Sequence, residues 1–246
     1  MTDSWIVLRR FTQARIALGR AGHAVPTQSL LDFQLAHAEA RDAVLVSWNI
    51  AAFADKVRSL GEEALILDTP IASRDEYLCR PDLGRVLSDA SRTLLNTSTT
   101  EEQDVALIVT NGLSSTAVER HGIPLLQAIV NRYRIRQFRI APISLVANGR
   151  VALSDVIGSV LCARVAVIII GERPGLSAAD SLGIYLTYSP KPGNCDAARN
   201  CISNIRPPAG LSYEDAAAKL LYLTEKALIL GISGVALKDD MVDLIS

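Results

Sequence analysis

Histidine and cysteine are scarce, with three and four residues in a chain of 246. His23, His37 and His121 are far apart, and Cys79, Cys162, Cys195 and Cys201 include no CxxC pair. That spacing offers no metal-ligand set, and a thiol nucleophile would have no histidine base near it in sequence. Irregular cysteines behind no apolar leader fit a reduced compartment better than secretion, so a cytoplasmic location is expected. The longest apolar run, around Val165 to Ile170, falls far short of the roughly 18 residues of a membrane span. A formal net charge of -1 removes the basic footprint that nucleic-acid binding needs. Also missing are a GxGxxG fingerprint, a GxxxxGK[ST] loop and a GxSxG elbow, so standard dinucleotide, P-loop and hydrolase sites are not expected.

What is present changes character along the chain. Residues 4–60 read as helical: Pro26 and Thr27 give a start signal, and Leu30, Leu31, Phe33, Leu35, Ala36 and Ala38 form a mixed apolar face. A second helical stretch is interrupted at Pro81 and is expected to begin near Asp82. The polar string from Asn96 to Asp104 reads as a linker, dividing a helical region, 1–100, from a second domain, 101–246.

Beyond it, strands and helices alternate. Val105–Val109 is a strand and Thr116–Tyr133 a helix; a strand within residues 137–150 and a helix over Ala152–Ala163 follow. The all-apolar strand from Val165 to Ile170 suits burial on both faces, as in a parallel sheet. A further strand occupies residues 183–190, and Tyr213–Leu230 is a closing helix with Ser212 and Asp215 spaced as a capping box. The fold class is therefore α/β: a Rossmann-like, mostly parallel sheet with flanking helices, preceded by a smaller helical region. Such sheets bind ligands beyond the carboxyl ends of their strands, which directs attention to residues 110–114, 147–151, 171–176 and 189–204.

Three of these places carry polar residues worth weighing. In "TNGLSST", Ser114 and Ser115 either face an oxygen-rich ligand or serve locally, Asn111-Gly112 making the turn and Ser114 capping the next helix. In "GERPG", Glu172 either accepts hydrogen bonds from a polar ligand, held by the Pro174-Gly175 turn, or is exposed, like Arg173, and pairs with surface charges for at most about 1 kcal/mol. In "RNCISNI", Cys201 stands among Asn200, Ser203 and Asn204, and structural packing is the default role of an isolated thiol. "RAGHAVPTQ", around His23, reads as an exposed or partner-facing loop.

Taken in order, "LGRAG…PTQSLLDFQLAHAEARDAV", "YLCRPDLGR", "NGLSSTAV", "GERPGLSAADSL", "YSP" and "CISNI" make the chain resemble the small (light) subunit of adenosylcobalamin-dependent ethanolamine ammonia-lyase. The resemblance runs from about Leu8 to about Gly234. It implies a Rossmann-like domain that covers one face of a cobalamin held against a larger TIM-barrel subunit. It also implies that Val151, Glu172 and Cys201 contact the cofactor, that catalytic residues belong to the large subunit, and that the partners are this subunit and cobalamin in a hetero-oligomer. The implied reaction turns ethanolamine into acetaldehyde and ammonia by radical chemistry. No DxHxxG sequence occurs, so the cofactor is expected to keep its own base as lower ligand.

The chain departs from the family in three respects. Members packaged in bacterial microcompartments commonly carry an N-terminal extension, whereas "LRRFTQARIALGRAG" begins here within about ten residues of Met1; free cytoplasmic enzyme is the expectation. Asn111 stands where the family often has Asp before "GLS", and the spacing from "YSP" to "CISNI" is slightly contracted. Two other readings remain: a self-sufficient small-molecule enzyme using Glu172 or Cys201, and a scaffold without cofactor. An obligate subunit would expose an apolar patch when alone, whereas a pure scaffold would have a blocked cleft beside Glu172.

Overall fold

The computed structural model describes residues 5–12, 14–98 and 101–241. Helix α1 (Thr27–Leu45) and helix α2 (Ile50–Ser59) precede a strand, β1 (Ala64–Leu67). Then come α3 (Arg74–Cys79), α4 (Asp89–Ser98), β2 (Gln103–Thr110), α5 (Ser115–Ile135), β3 (Ile143–Val146), α6 (Leu153–Val160) and β4 (Ala163–Gly171). The chain continues through β5 (Leu182–Tyr188), β6 (Arg199–Ile205) and α7 (Tyr213–Leu230).

The six strands form one sheet in the order β1-β3-β2-β4-β5-β6. The pairings β1 with β3, β3 with β2 and β2 with β4 are parallel, whereas β4 with β5 and β5 with β6 are antiparallel. The connection from β4 to β5 carries no crossover helix, and a parallel partner would require one. All of β4 except Arg164 is buried. Its alternate side chains feed two cores: Val165, Val167 and Ile169 pack with α2, α5 and α7, while Ala166 and Ile168 pack with Leu95 of α4 and Leu153 and Ile157 of α6. The expected α/β architecture is thus present, with parallel character confined to its first four strands.

Several expectations need correction. The region before residue 100 is not wholly helical, since β1 adds an edge strand to the sheet. Four apolar residues are too few for periodicity to separate a strand from a helical turn. Residues 189–204, read as a strand-end loop, include most of β6. Its polar face looks outward while Ile202 and Ile205 turn inward, so composition disguises it. In the expected linker, Asn96 to Ser98 end α4 and Gln103 and Asp104 begin β2; residues 99 and 100 lie outside the described residues. The helix placed near Asp82 begins at Asp89. On α1 only Ala36 and Ala43 are buried, and Leu30, Leu31, Phe33 and Leu35 remain exposed.

Candidate functional site at the strand ends

A cleft of about 430 Å³ opens where β2 and β4 end, lined by Tyr77, Leu113, Arg150, Val151, Ile170, Gly171, Glu172, Arg173 and Tyr185. This is the position at which open α/β sheets take ligands. Its floor depends on close backbone approach. A Cβ on Gly171 would lie 2.2 Å from the Ser114 carbonyl oxygen and 2.4 Å from that of Asn111. Only glycine lets the end of β4 press against the turn after β2.

That turn is fixed from inside. The Asn111 amide donates to Ser115 Oγ at 3.1 Å and accepts from the Asn148 N–H at 2.7 Å, joining the loops after β2 and β3. Ser114 Oγ caps α5 by accepting from the Ala117 N–H and donates to the Ala179 carbonyl at 2.9 Å. Ser114 and Ser115 are fully buried, so the capping alternative is the one observed.

Glu172, half-buried at the end of β4, holds its carboxylate in a hydroxyl clamp. Ser181 Oγ donates to Oε2 at 2.6 Å, Ser203 Oγ donates to Oε1, and the Asn204 N–H donates to Oε2 at 3.2 Å. A carboxylate offers about four lone-pair sites, so one acceptor position on Oε1 remains. The carboxylate is oriented by the clamp and still able to receive one donor. The alternative, an exposed Glu172 and Arg173 paired with surface charges, is not observed: Arg173 is exposed but Glu172 is half-buried, and among the described residues neither joins an ion pair.

Val151 is half-buried just before α6 and lines the same cleft. Cys201 sits further along the wall, on β6 directly opposite Tyr185 of β5. Its sulfur is partly withdrawn from water although the residue is exposed at the sheet edge. That desolvation, with Glu172 negative nearby, raises the thiol, outweighing the Tyr185 hydrogen bond that lowers it. Tyr185 is itself pushed up to about 12 by burial and by Cys201. A thiol of raised pKa is a poor nucleophile at neutral pH. The structure therefore brings Val151 and Glu172 to one cleft and places Cys201 beside it through Tyr185.

Sequence reasoning missed the opposite wall. Tyr77 of α3 is fully buried, donates to the Gly149 carbonyl at 3.1 Å, and has the guanidiniums of Arg74 and Arg150 over its ring at 4.7 and 4.1 Å. Burial raises its phenol pKa. Local sequence carried no signal for this stack, because Arg150 lies more than 70 residues beyond its partners.

The family model for the ethanolamine ammonia-lyase light chain (EutC) matches residues 2–238. The chain belongs to this family. An ethanolamine ammonia-lyase small subunit from Azotobacter vinelandii is 52% identical over 241 residues, covering 97% of this chain and 89% of that protein. Its counterpart from Ralstonia nicotianae is 50% identical over 240 residues, 96% of this chain and 88% of its own. One from Pseudomonas aeruginosa is 48% identical over 241 residues, with 97% and 88% coverage. For this light-chain family member no helix among the described residues is long and apolar enough to cross a membrane, and no cluster of potential metal ligands occurs there.

Proposed function

We propose that this chain is the small subunit of an adenosylcobalamin-dependent ethanolamine ammonia-lyase and covers the cofactor against a TIM-barrel large subunit. The observation that carries the reading, beyond family membership, is the clamped Glu172 at the strand-end cleft, with an acceptor position unspent. The residues fit a corrinoid edge. Leu113, Val151 and Ile170 offer apolar surface to ring methyl groups, Glu172 can accept from a peripheral amide, and Cys201 adds a small soft surface further along. At about 430 Å³ the cleft is far too small for a whole cobalamin, which suits a site completed by a second subunit.

When bound, adenosylcobalamin supplies the cobalt–carbon bond whose homolysis begins the radical conversion of ethanolamine to acetaldehyde and ammonia. This chain's residues bind, orient and cover. None is assigned to the reacting atoms. The exposed apolar residues suit an obligate partner: Trp5 is 64% and Phe11 72% exposed, with Leu30, Leu31 and Leu35 exposed on α1. The self-sufficient alternative has less support, since Glu172 is already hydrogen-bonded and the Cys201 thiol is raised. The place of action consistent with this reading is the cytoplasm.

The test is ammonia release from ethanolamine with adenosylcobalamin, by this chain, by its large subunit, and by both. Activity only in the mixture, with a raised cofactor requirement for Glu172→Ala, is expected. A well-assembled but inactive mixture would overturn the ethanolamine assignment, and turnover by this chain alone would favour the self-sufficient enzyme.

A further inference from the structure

The Arg74–Tyr77–Arg150 wall has a charge problem that the corrinoid reading does not address. Two guanidiniums stack on one buried tyrosine, and neither forms an ion pair with any described carboxylate. Arg74 meets only neutral acceptors, the Val44 carbonyl at 2.7 Å, the Gly112 carbonyl at 2.8 Å and Asn148 Oδ1 at 3.0 Å, and its Nη2 is buried without a partner among the described residues. Burial, with Arg150 adding to it, lowers its pKa. The Arg150 side chain donates only from Nη2, to the Tyr77 carbonyl at 2.9 Å, and its Nε is buried without a partner among the described residues. Its Nη1 makes no hydrogen bond among the described residues, although the residue lines the cleft.

Half-buried like charges without a counter-charge are costly unless something compensates them. Glu172 lines the same cleft but forms no ion pair with either guanidinium among the described residues; three of its acceptor positions are taken by Ser181, Ser203 and the Asn204 N–H. The geometry points to an oxyanion subsite in which Arg150, backed by Arg74 across Tyr77, takes a phosphoryl group entering the cleft. A guanidinium fork matches both classes of anion, and phosphoryl is favoured over carboxylate for its additional acceptor oxygens; free phosphate, unlike a phosphodiester, adds a higher anionic charge. Two sources share this chemistry: the phosphodiester in cobalamin's nucleotide side chain, and free phosphate. The subsite stands apart from the proposed function; only its assignment to the phosphodiester rests on that reading.

The first arm uses the full chain and inorganic phosphate, with thermal unfolding followed at constant ionic strength against chloride and acetate. Phosphate should raise the midpoint with saturation, and Arg150→Gln should weaken the half-saturating concentration about tenfold or more, the loss of one charge-assisted hydrogen bond. Arg150→Lys, which keeps the charge in case the Gln variant folds poorly, should retain part of the effect. Arg173→Gln, an exposed cation of the same cleft, should stay within about twofold. Equal shifts from acetate or chloride, or an unchanged response in both Arg150 variants, would overturn the subsite.

The second arm assembles the chain with its large subunit and measures binding of cobalamin and of cobinamide, which lacks the phosphodiester, by absorbance titration. A loss in Arg150→Gln confined to cobalamin assigns the phosphodiester. Equal affinities for wild type and variant, beside a positive first arm, assign free phosphate. If wild-type assembly binds neither corrinoid, the proposed function fails while the first arm still decides the subsite.

Discussion

Arg199 on β6 and Asp155 on α6 form a bidentate pair at 2.9 and 2.7 Å, each side chain only 2% exposed. The pair ties the helix that follows Val151 to the strand that carries Cys201, so it holds two candidate site residues in one frame. Burial opposes the charge on Arg199, and Asp155 outweighs it, holding the guanidinium above its ordinary value. Breaking a buried pair from one side costs about 3–5 kcal/mol, because the survivor stays buried and unpaired. The two survivors are not equivalent. After Asp155→Leu, Arg199 keeps Thr187 Oγ1 and the Asn194 carbonyl at 3.1 Å each, and Asp196 at 3.4 Å. That places the loss near the low end, about 3 kcal/mol. After Arg199→Met, the Asp155 carboxylate keeps no partner among the described residues, and its place in the first turn of α6 returns only about 0.3–1 kcal/mol. A loss of about 4 kcal/mol follows. At about 2–4 °C per kcal/mol for a chain of this size, the midpoints should fall by about 6–12 °C and about 8–16 °C. The double variant should recover most of the loss, since an apolar replacement is often neutral. Circular dichroism melts and urea titrations of the four proteins measure this. Single variants within about 1 kcal/mol of wild type, or a double variant that loses the sum of the singles, would refute the reasoning.

Other variants probe the cleft and its support. Gly171→Ala should destabilise the chain by about 1–3 kcal/mol or more, because the new methyl meets backbone oxygens that cannot turn aside; a urea midpoint unchanged from wild type would contradict that. Ser181→Ala should cost more than Ser203→Ala in the same titration, out of about 1.5–3 kcal/mol for a bond to a charged group, since Ser181 is buried and Ser203 exposed. The reverse order would mean that the clamp is not organised by burial. Asp180 next to it is held below its ordinary carboxylate pKa: burial raises it, but Arg120 at 2.8 Å and His121 at 3.4 Å lower it further. A depressed folded-state value adds stability above the unfolded pKa of about 3.9 and loses it as pH falls through the folded value. Asp180→Asn should therefore flatten the acid side of the stability–pH curve while lowering stability at pH 7; a slope below pH 4 that matches wild type would exclude this role.

Local sequence determined the elements with one unmistakable physical signature. The run from Val165 to Ile170 can only be buried on both faces, and β4 is central; Ser212 and Asp215 announce the cap of α7, where Ser212 Oγ accepts from the Asp215 N–H at 3.1 Å. The strand-end rule then led to Glu172 and to the range 147–151, within which the family resemblance singled out Val151; both residues line one cleft. What it did not contain were the facts that depend on distant partners. Strand β1 is recognisable only because β3 pairs with it, and β6 because β5 does. The hydroxyl clamp on Glu172 joins residues 9 and 31 positions away, and the Tyr77 wall joins α3 to a loop over 70 residues later. A residue's type shows what it can donate, accept or bury. Which partners orient Glu172, and which leave Arg150 without an ion pair among the described residues, is set by the packing of the sheet, because hydrogen bonds and ion pairs depend on ångström separations that no local pattern encodes.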